Sequence, residues 1–340
     1  MSSYMYVTLL LVFPYLRNVK VNEFLLYYDF GRYLLFVCQI IVKLSFELRE
    51  SSGLKGEGMD ISVIAAQLVK EKVISYYPNS IKVLNGGTTS TVYLLDEEYV
   101  VKLNEAEVIR EEANFLSFYE GNKLFSKFLY KEPFHTYIVY SFLEGSTSCE
   151  QGHKRSTLRT LVKEVINKYE IVSDLDVWGW KESPVQSWHE FLTTNVMEAH
   201  ENVKRYISEE EYRTVLKLAN SPSRGTGINQ PFLLHGDLGF HNFIFQGNEL
   251  HGVIDPLPVL GDPIYDLIYA FCSTTEDVTK ETIHYAMKQC VFHKKESDLY
   301  EEIVIGLYLR IDTCLRHHPK DLEDYLAAWR YWMGEVEVTL

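Results

Sequence analysis

The sequence predicts an α+β chain built in two lobes, a small antiparallel sheet followed by a larger, mainly helical part. Three observations lead there. Between residues 81 and 142 the apolar residues fall in short strand-length runs, with one helical stretch among them. From Glu144 onward the apolar spacing turns mostly helical. Inside that helical part lies an island of short strand-like runs beside a loop dense in His, Asp and Asn.

The elements follow in order. Met59 opens a helix with Asp60 as N-cap, and Ile61, Ile64, Ala65, Leu68 and Val73 share one face through residue 76. Strands are expected at Ile81–Asn85, Thr91–Leu95 and Tyr99–Leu103, joined by Gly-Gly and Asp-Glu-Glu turns. Residues 105–120 read as a helix that Gly121 ends, with Val108, Ala113, Phe115, Leu116 and Tyr119 facing inward. Phe128–Lys131 and Tyr137–Phe142 complete the sheet. Helices are then expected over 155–170, 186–206, 208–220, 263–272, 279–291, 296–316 and 320–336. The strand island comprises Phe232–Leu234, Phe243–Gln246 and Leu250–Ile254, and Gly247-Asn248 makes a hairpin turn between the last two. The domain reading is therefore residues 59–143 as a nucleotide-binding lobe, a hinge at 141–143, and residues 144–340 as a helical lobe with the catalytic loop and substrate site.

Residues 1–58 stand apart. Tyr4–Leu16 and Tyr33–Val42 are apolar, but neither reaches the ~20 residues that span a bilayer. The first run has no basic stretch before it and no clear cleavage site after it, which makes it a poor signal peptide. Ser51–Gly58 reads as a loop. The segment is taken as an appendage or a start-site artefact, with a hydrophobic anchor as the rival reading.

Composition narrows the class. With 340 residues the chain can bury a substantial core, and a net charge of −14 argues against a general nucleic-acid binder. The same charge suits a cationic small-molecule partner, although acidity also serves solubility alone. The five cysteines are widely spaced with no CxxC pair, which points to reduced thiols and a cytoplasmic protein rather than a disulfide framework or zinc site. Oligomeric state is not legible.

The chemistry concentrates in His235-Gly-Asp237-Leu-Gly-Phe-His-Asn242 and Val253-Ile254-Asp255. Phosphoryl transfer needs a carboxylate facing the attacking hydroxyl, and magnesium held by hard oxygen ligands to neutralise phosphate charge. Asp237 and Asn242 lie five apart on one loop, the spacing of the kinase pattern H-R-D-x-x-x-x-N with Gly in place of Arg. The hairpin returns the chain so that Asp255 can share the metal site. Asp237 is then the base or orienting carboxylate, and Asn242 and Asp255 are the metal ligands. The rivals are a transition-metal cluster of His235, Asp237 and His241, and a metallophosphatase, for which Gly247-Asn248-Glu249 lacks a histidine.

Asn85-Gly86-Gly87-Thr88-Thr89-Ser90 links two strands; its glycines and the Ser90 hydroxyl can cradle phosphates, though Gly-Gly is usually only a turn. Lys102 on the next strand needs a partner or an exposed face, and Glu112 is the chosen partner, with Glu111 second. Such a pair would hold Lys102 against the phosphates. Ser141, Phe142 and Leu143 form the hinge that meets the nucleotide base. Asp262 before Pro263 reads as an N-cap, and Asp266 as support for the catalytic loop.

Together HGDLGFHN, VID, GDPIYDL, VVKL, the REEA helix start and the LEG hinge end resemble the aminoglycoside phosphotransferase family over roughly residues 60–340. The resemblance implies a protein-kinase-like fold and transfer from Mg-ATP or GTP to a hydroxyl of a small polar molecule. It carries onto Asp237, Asn242, Asp255, Lys102 and Glu112. It does not choose among aminoglycosides and the choline, methylthioribose and homoserine type of acceptor. Pro256 after Asp255 and the hydroxyl-rich glycine loop depart from the family pattern. The rival from another class is a non-catalytic nucleotide-binding regulator, which loss of any of Asp237, Asn242, Asp255 or Lys102 would have favoured.

Overall fold

The computed structural model of the chain describes residues 60–84, 90–148, 150, 152–172, 176–222, 224 and 230–339. The chain divides into two compact units, Met1–Ile64 and Ala65–Leu340. The reading of residues 1–58 lies outside the described residues, as do Gly86 and Gly87 of the glycine loop.

Helix α1 (Ile61–Lys70) starts as its sequence dictates: the Asp60 carboxylate accepts the Ser62 amide at 2.9 Å. Five strands then build one antiparallel sheet: β1 (Ile81–Leu84), β2 (Thr91–Leu95), β3 (Tyr99–Leu103), β4 (Phe128–Lys131) and β5 (Tyr137–Ser141). Their order is β1-β2-β3-β5-β4, so β3 is central. Lys102 faces Val92 on one side and Ile138 on the other, in a register that buries Val100, Val101, Ile138 and Val139. Helix α2 (Ala106–Phe118) is inserted between β3 and β4 and buries Ile109, Glu112, Ala113, Phe115 and Leu116.

The helical lobe follows with α3 (Lys154–Glu164), α4 (Trp188–Val203), α5 (Glu209–Ala219), α6 (Pro263–Cys272), α7 (Lys280–Met287), α8 (Glu296–His317) and α9 (Leu322–Thr339). Central α8 places Leu299, Ile303, Val304, Leu307, Tyr308, Ile311 and Cys314 at helical spacing in the core, beside the buried rings of Trp329 and Trp332. Gly306 lets α8 close on α6, since a Cβ there would lie 2.4 Å from Ile268. Cys272, Cys290 and Cys314 are buried free thiols.

The strand island splits in two. β8 (Phe243–Gln246) and β9 (Glu249–Val253) form the expected hairpin, with Gly247 in the left-handed region at φ +60°. β7 (Phe232–Leu234) joins a separate small sheet, β6-β10-β7, with β6 (Gly179–Trp180) and β10 (Val259–Gly261). β6 and β10 carry too few residues for a periodic signal and are additions to the sequence reading. The helix expected over 155–170 stops at Glu164, with a single 3-10 turn at Ile166–Lys168. Beyond it the backbone is drawn toward β7: the Val172 amide donates to Pro231, and Ile171 bridges Phe232.

Tyr119, just past α2, ties the lobes together. Its hydroxyl donates to the Leu233 carbonyl at 2.5 Å and accepts the Glu170 amide at 3.1 Å. Lys181, after β6, pairs with Glu111 on α2 at 2.6 Å. Helix α2 is thereby fixed to the helical lobe at its middle and at its end. Among the described residues, no helix is long and apolar enough to cross a membrane.

Candidate active site

The loop between β7 and β8 is shaped by its backbone. Gly236 has φ +81°, and a Cβ there would lie 1.8 Å from the Leu257 carbonyl oxygen. Only glycine fits, which explains why this position holds no arginine. Asp266, in the first turn of α6, is fully buried and collects the amides of His235 (2.8 Å) and Gly236 (3.1 Å) and the Tyr169 hydroxyl (2.5 Å). Burial pushes its carboxyl up to about 7, against the pull of those donors. Asp262 caps the same helix through the Ile264 amide at 3.0 Å, so both acidic residues of GDPIYDL are supports, as their spacing predicts.

His235 is buried against Phe115 and Phe125 and donates from Nε2 to the Ile254 carbonyl at 3.0 Å. Burial holds its imidazole down at about 4, so the ring is neutral. It faces the core rather than Asp237, which removes it from the rival transition-metal cluster. Among the described residues, no group of three or more His, Cys, Asp or Glu could hold a metal ion by itself.

Asp237 lies at the exposed end of the loop, 29% accessible. Oδ1 accepts the Tyr269 hydroxyl at 2.6 Å, and Oδ2 accepts the Asn242 amide at 2.9 Å and His241 Nε2 at 3.2 Å. Burial opposes its charge, but the hydrogen bonds from His241 and Tyr269 prevail and hold the carboxyl at about 2. Asn242 also donates to the Asp237 carbonyl at 2.9 Å, so its amide nitrogen is spent and its oxygen remains as an acceptor. The Ile254 amide bonds the Asn242 main-chain carbonyl at 3.0 Å, which brings the segment that carries Asp255 alongside Asn242. Asp255 sits in the left-handed region at φ 56°, a costly conformation for a residue with a Cβ, and is 43% exposed. A carboxylate and a carboxamide oxygen, completed by phosphate oxygens and water, are a donor set that suits magnesium.

Lys102 reaches the site from β3. Its ammonium lies 2.8 Å from Glu112 and 3.1 Å from Asp255, with 5% of its side chain exposed and 1% of Glu112's. Burial lowers the Lys102 pKa, but Glu112 and Asp255 outweigh it, so the lysine stays charged. Of the two glutamates the sequence offered, Glu112 is the partner, and Glu111 turns instead to Lys181 and Arg110. Ser90 accepts from the Asn104 side chain at 2.7 Å. At the expected hinge, the Ser141 amide donates to the Lys127 carbonyl and the Phe142 amide to that of Glu98, at 2.9 and 2.8 Å. Their N–H groups are spent, which leaves that of Leu143, whose side chain packs on Gly252 (2.6 Å from the place of a Cβ).

Several carboxylates of the helical lobe that a cationic acceptor could meet are engaged elsewhere. Glu190 accepts the Gln186 amide at the start of α4. Glu301 and Glu302 pair with Arg224, Glu302 also with Lys294, and Asp312 with Arg316. Asp174 lies outside the described residues. Tyr269 and His241 are the site residues that sequence reasoning missed as partners of Asp237. His241 could be found, since it lies four residues on in the same motif. Tyr269 could not, since it comes from another element.

No family model and no curated protein matches the chain. Solved structures do. An ADP-bound aminoglycoside phosphotransferase, APH(2'')-Ib, superposes with a TM-score of 0.53 at 20% identity, over 81% of this chain and 99% of that one. The streptomycin–ATP complex of APH(2'')-IIa gives 0.52 at 19%, over 82% and 97%. A putative fructosamine-3-kinase from Haemophilus somnus gives 0.55 at 17%, over 80% and 96%. The chain therefore has the two-lobed, protein-kinase-like fold shared by aminoglycoside phosphotransferases and fructosamine-3-kinases.

Proposed function

We propose that the protein is a phosphotransferase that moves the γ-phosphate of Mg-ATP or Mg-GTP to a hydroxyl of a small polar molecule. One observation carries the reading: Lys102, paired with both Glu112 and Asp255, ties the sheet lobe to the segment after β9, where the Ile254 amide bonds Asn242 of the loop that bears Asp237. Structures of this fold carry ATP, ADP or GDP, which supports a nucleotide co-substrate.

In this reading Glu112 holds Lys102 against the nucleotide's phosphates. Asn242 Oδ1 and Asp255 would hold magnesium, which would neutralise charge on the phosphate oxygens. Leu143 would offer its amide to the base. Asp237, held ionised, accepts a hydrogen bond from the acceptor hydroxyl and aims its oxygen at the γ-phosphorus. The new O–P bond forms as the bond from that phosphorus to the β,γ-bridging oxygen breaks. A carboxylate at about 2 is a weak base, so the hydroxyl proton reaches it or solvent late, as bond formation makes that proton acidic.

An aminoglycoside is the first acceptor we infer. Structures of this fold hold streptomycin, gentamicin and kanamycin, and a net charge of −14 attracts a polycation. The second reading is a metabolic acceptor of the choline, methylthioribose or homoserine type. The engagement of Glu190, Glu301, Glu302 and Asp312 in caps and ion pairs favours it. Acceptor-dependent consumption of Mg-ATP and Mg-GTP, measured with kanamycin, gentamicin, choline, methylthioribose, homoserine and a fructosamine at two salt concentrations, tests both. Consumption with the cationic drugs that weakens with salt is the expected result. Consumption only with the metabolic acceptors selects the second reading. Nucleotide that binds but is never transferred or hydrolysed removes the kinase assignment.

A further inference from the structure

We propose that Tyr269 is the positioning residue of the transfer centre: it fixes Asp237 and directs the acceptor hydroxyl to the one lone-pair site left on that carboxylate. The proposal rests on the kinase reading and adds a residue from outside the sequence motifs. An ionised carboxylate offers about four acceptor sites, two on each oxygen. On Oδ2 both are taken, by Asn242 at 2.9 Å and His241 at 3.2 Å. On Oδ1 one is taken, by the Tyr269 hydroxyl at 2.6 Å. Among the described residues, the donors leave one site, on Oδ1 beside the tyrosine, on a carboxylate that solvent still reaches. An acceptor hydroxyl that meets Asp237 without displacing another donor must therefore approach along the Tyr269 side.

Two further observations bear on the same point. Gly239 is not in a left-handed conformation, yet a Cβ there would lie 3.2 Å from Tyr269 Cε1 and 2.5 Å from His241 Cε1. The glycine is needed for space, so that both rings can close on Asp237. The phenol also keeps its proton: burial, then the Asp237 charge, raise the Tyr269 pKa well above its usual value, so it remains a donor. The Tyr269 ring lines a cavity of about 50 Å³ with Tyr265, Leu309, Arg310 and Thr313, room for a few waters on the α8 side.

Tyr269→Phe keeps the ring and removes only the donor. The probe is Mg-ATP hydrolysis with water as acceptor, read alongside the acceptor panel. We expect kcat to fall about tenfold to a hundredfold, the range for a hydrogen bond to a charged group, while the KM for Mg-ATP stays within about twofold. In an Asp237→Asn background the same substitution should cost nothing further, because Tyr269 acts through that carboxylate. A Tyr269→Phe enzyme within twofold of wild type, or an equal further loss on top of Asp237→Asn, overturns the proposal while leaving the kinase reading intact. Wild-type protein that binds Mg-ATP but neither hydrolyses nor transfers it overturns both. Gly239→Ala, which crowds the Tyr269 and His241 rings but leaves the tyrosine hydroxyl in place, should reproduce the kcat loss. A normal kcat in that variant also counts against the proposal.

Discussion

Gly236 and Asp255 show how much of the site is decided by single backbone conformations. At Gly236 the left-handed φ of 81° and the Leu257 carbonyl 1.8 Å from any Cβ exclude every other residue. Gly236→Ala should therefore cost more than the ~1 kcal/mol of an ordinary left-handed replacement, because backbone must move as well. A fall in the thermal midpoint of several degrees, seen by calorimetry, is the expected outcome, and an unchanged midpoint would contradict the geometry. Asp255 adopts the same region with a side chain, a strain held by the Lys102 ion pair and the bond of Ile254 to Asn242. Asp255→Ala should abolish magnesium-dependent nucleotide binding, since it removes the anionic ligand and leaves Lys102 with Glu112 alone. Titration of Mg-ATP by calorimetry checks this; unchanged affinity would remove Asp255 from the metal site.

At the scale of elements, α2 is the piece on which the lysine depends. Glu111 and Glu112 are adjacent but point to different partners, one to Lys181 in the helical lobe and one to Lys102 in the sheet. Lys181→Met should loosen α2 and raise the KM for nucleotide several-fold with a smaller change in kcat. Steady-state kinetics against Mg-ATP would show it, and equal changes in both constants would mean that Lys181 serves the chemistry instead. Much of this was legible beforehand. Lys102, Asp237, Asn242 and Asp255 could be named because each sits in a local pattern, and β2, β3, β4, β7, β8 and α6 have the expected bounds because apolar spacing and turn residues agree there. What escaped depends on distance along the chain. Tyr269 meets Asp237 across 32 residues, and β6 pairs with β10 across about eighty, with no periodic signal in either strand. At the expected hinge, the spent amides of Ser141 and Phe142 depend on Lys127 and Glu98, which no motif marks.

The whole molecule puts the candidate residues for base, metal and lysine within one compact unit, Ala65–Leu340. A chain begun at Met59 should therefore fold, melt cooperatively and retain activity, since Asp60 still caps α1 and every site element follows. Aggregation or a broad melt of that shortened chain would assign residues 1–58 to the fold. The ties of α2 to the helical lobe also have a kinetic consequence. Tyr119 bonds Leu233 and Glu170, and Glu111 bonds Lys181, so α2 cannot come free while the large lobe stays folded. Its amide hydrogens should exchange with heavy water as slowly as those of α8, through global unfolding rather than local opening. The helix inserted in the small lobe would then not melt separately, and the Lys102–Glu112 contact would persist when no nucleotide is bound.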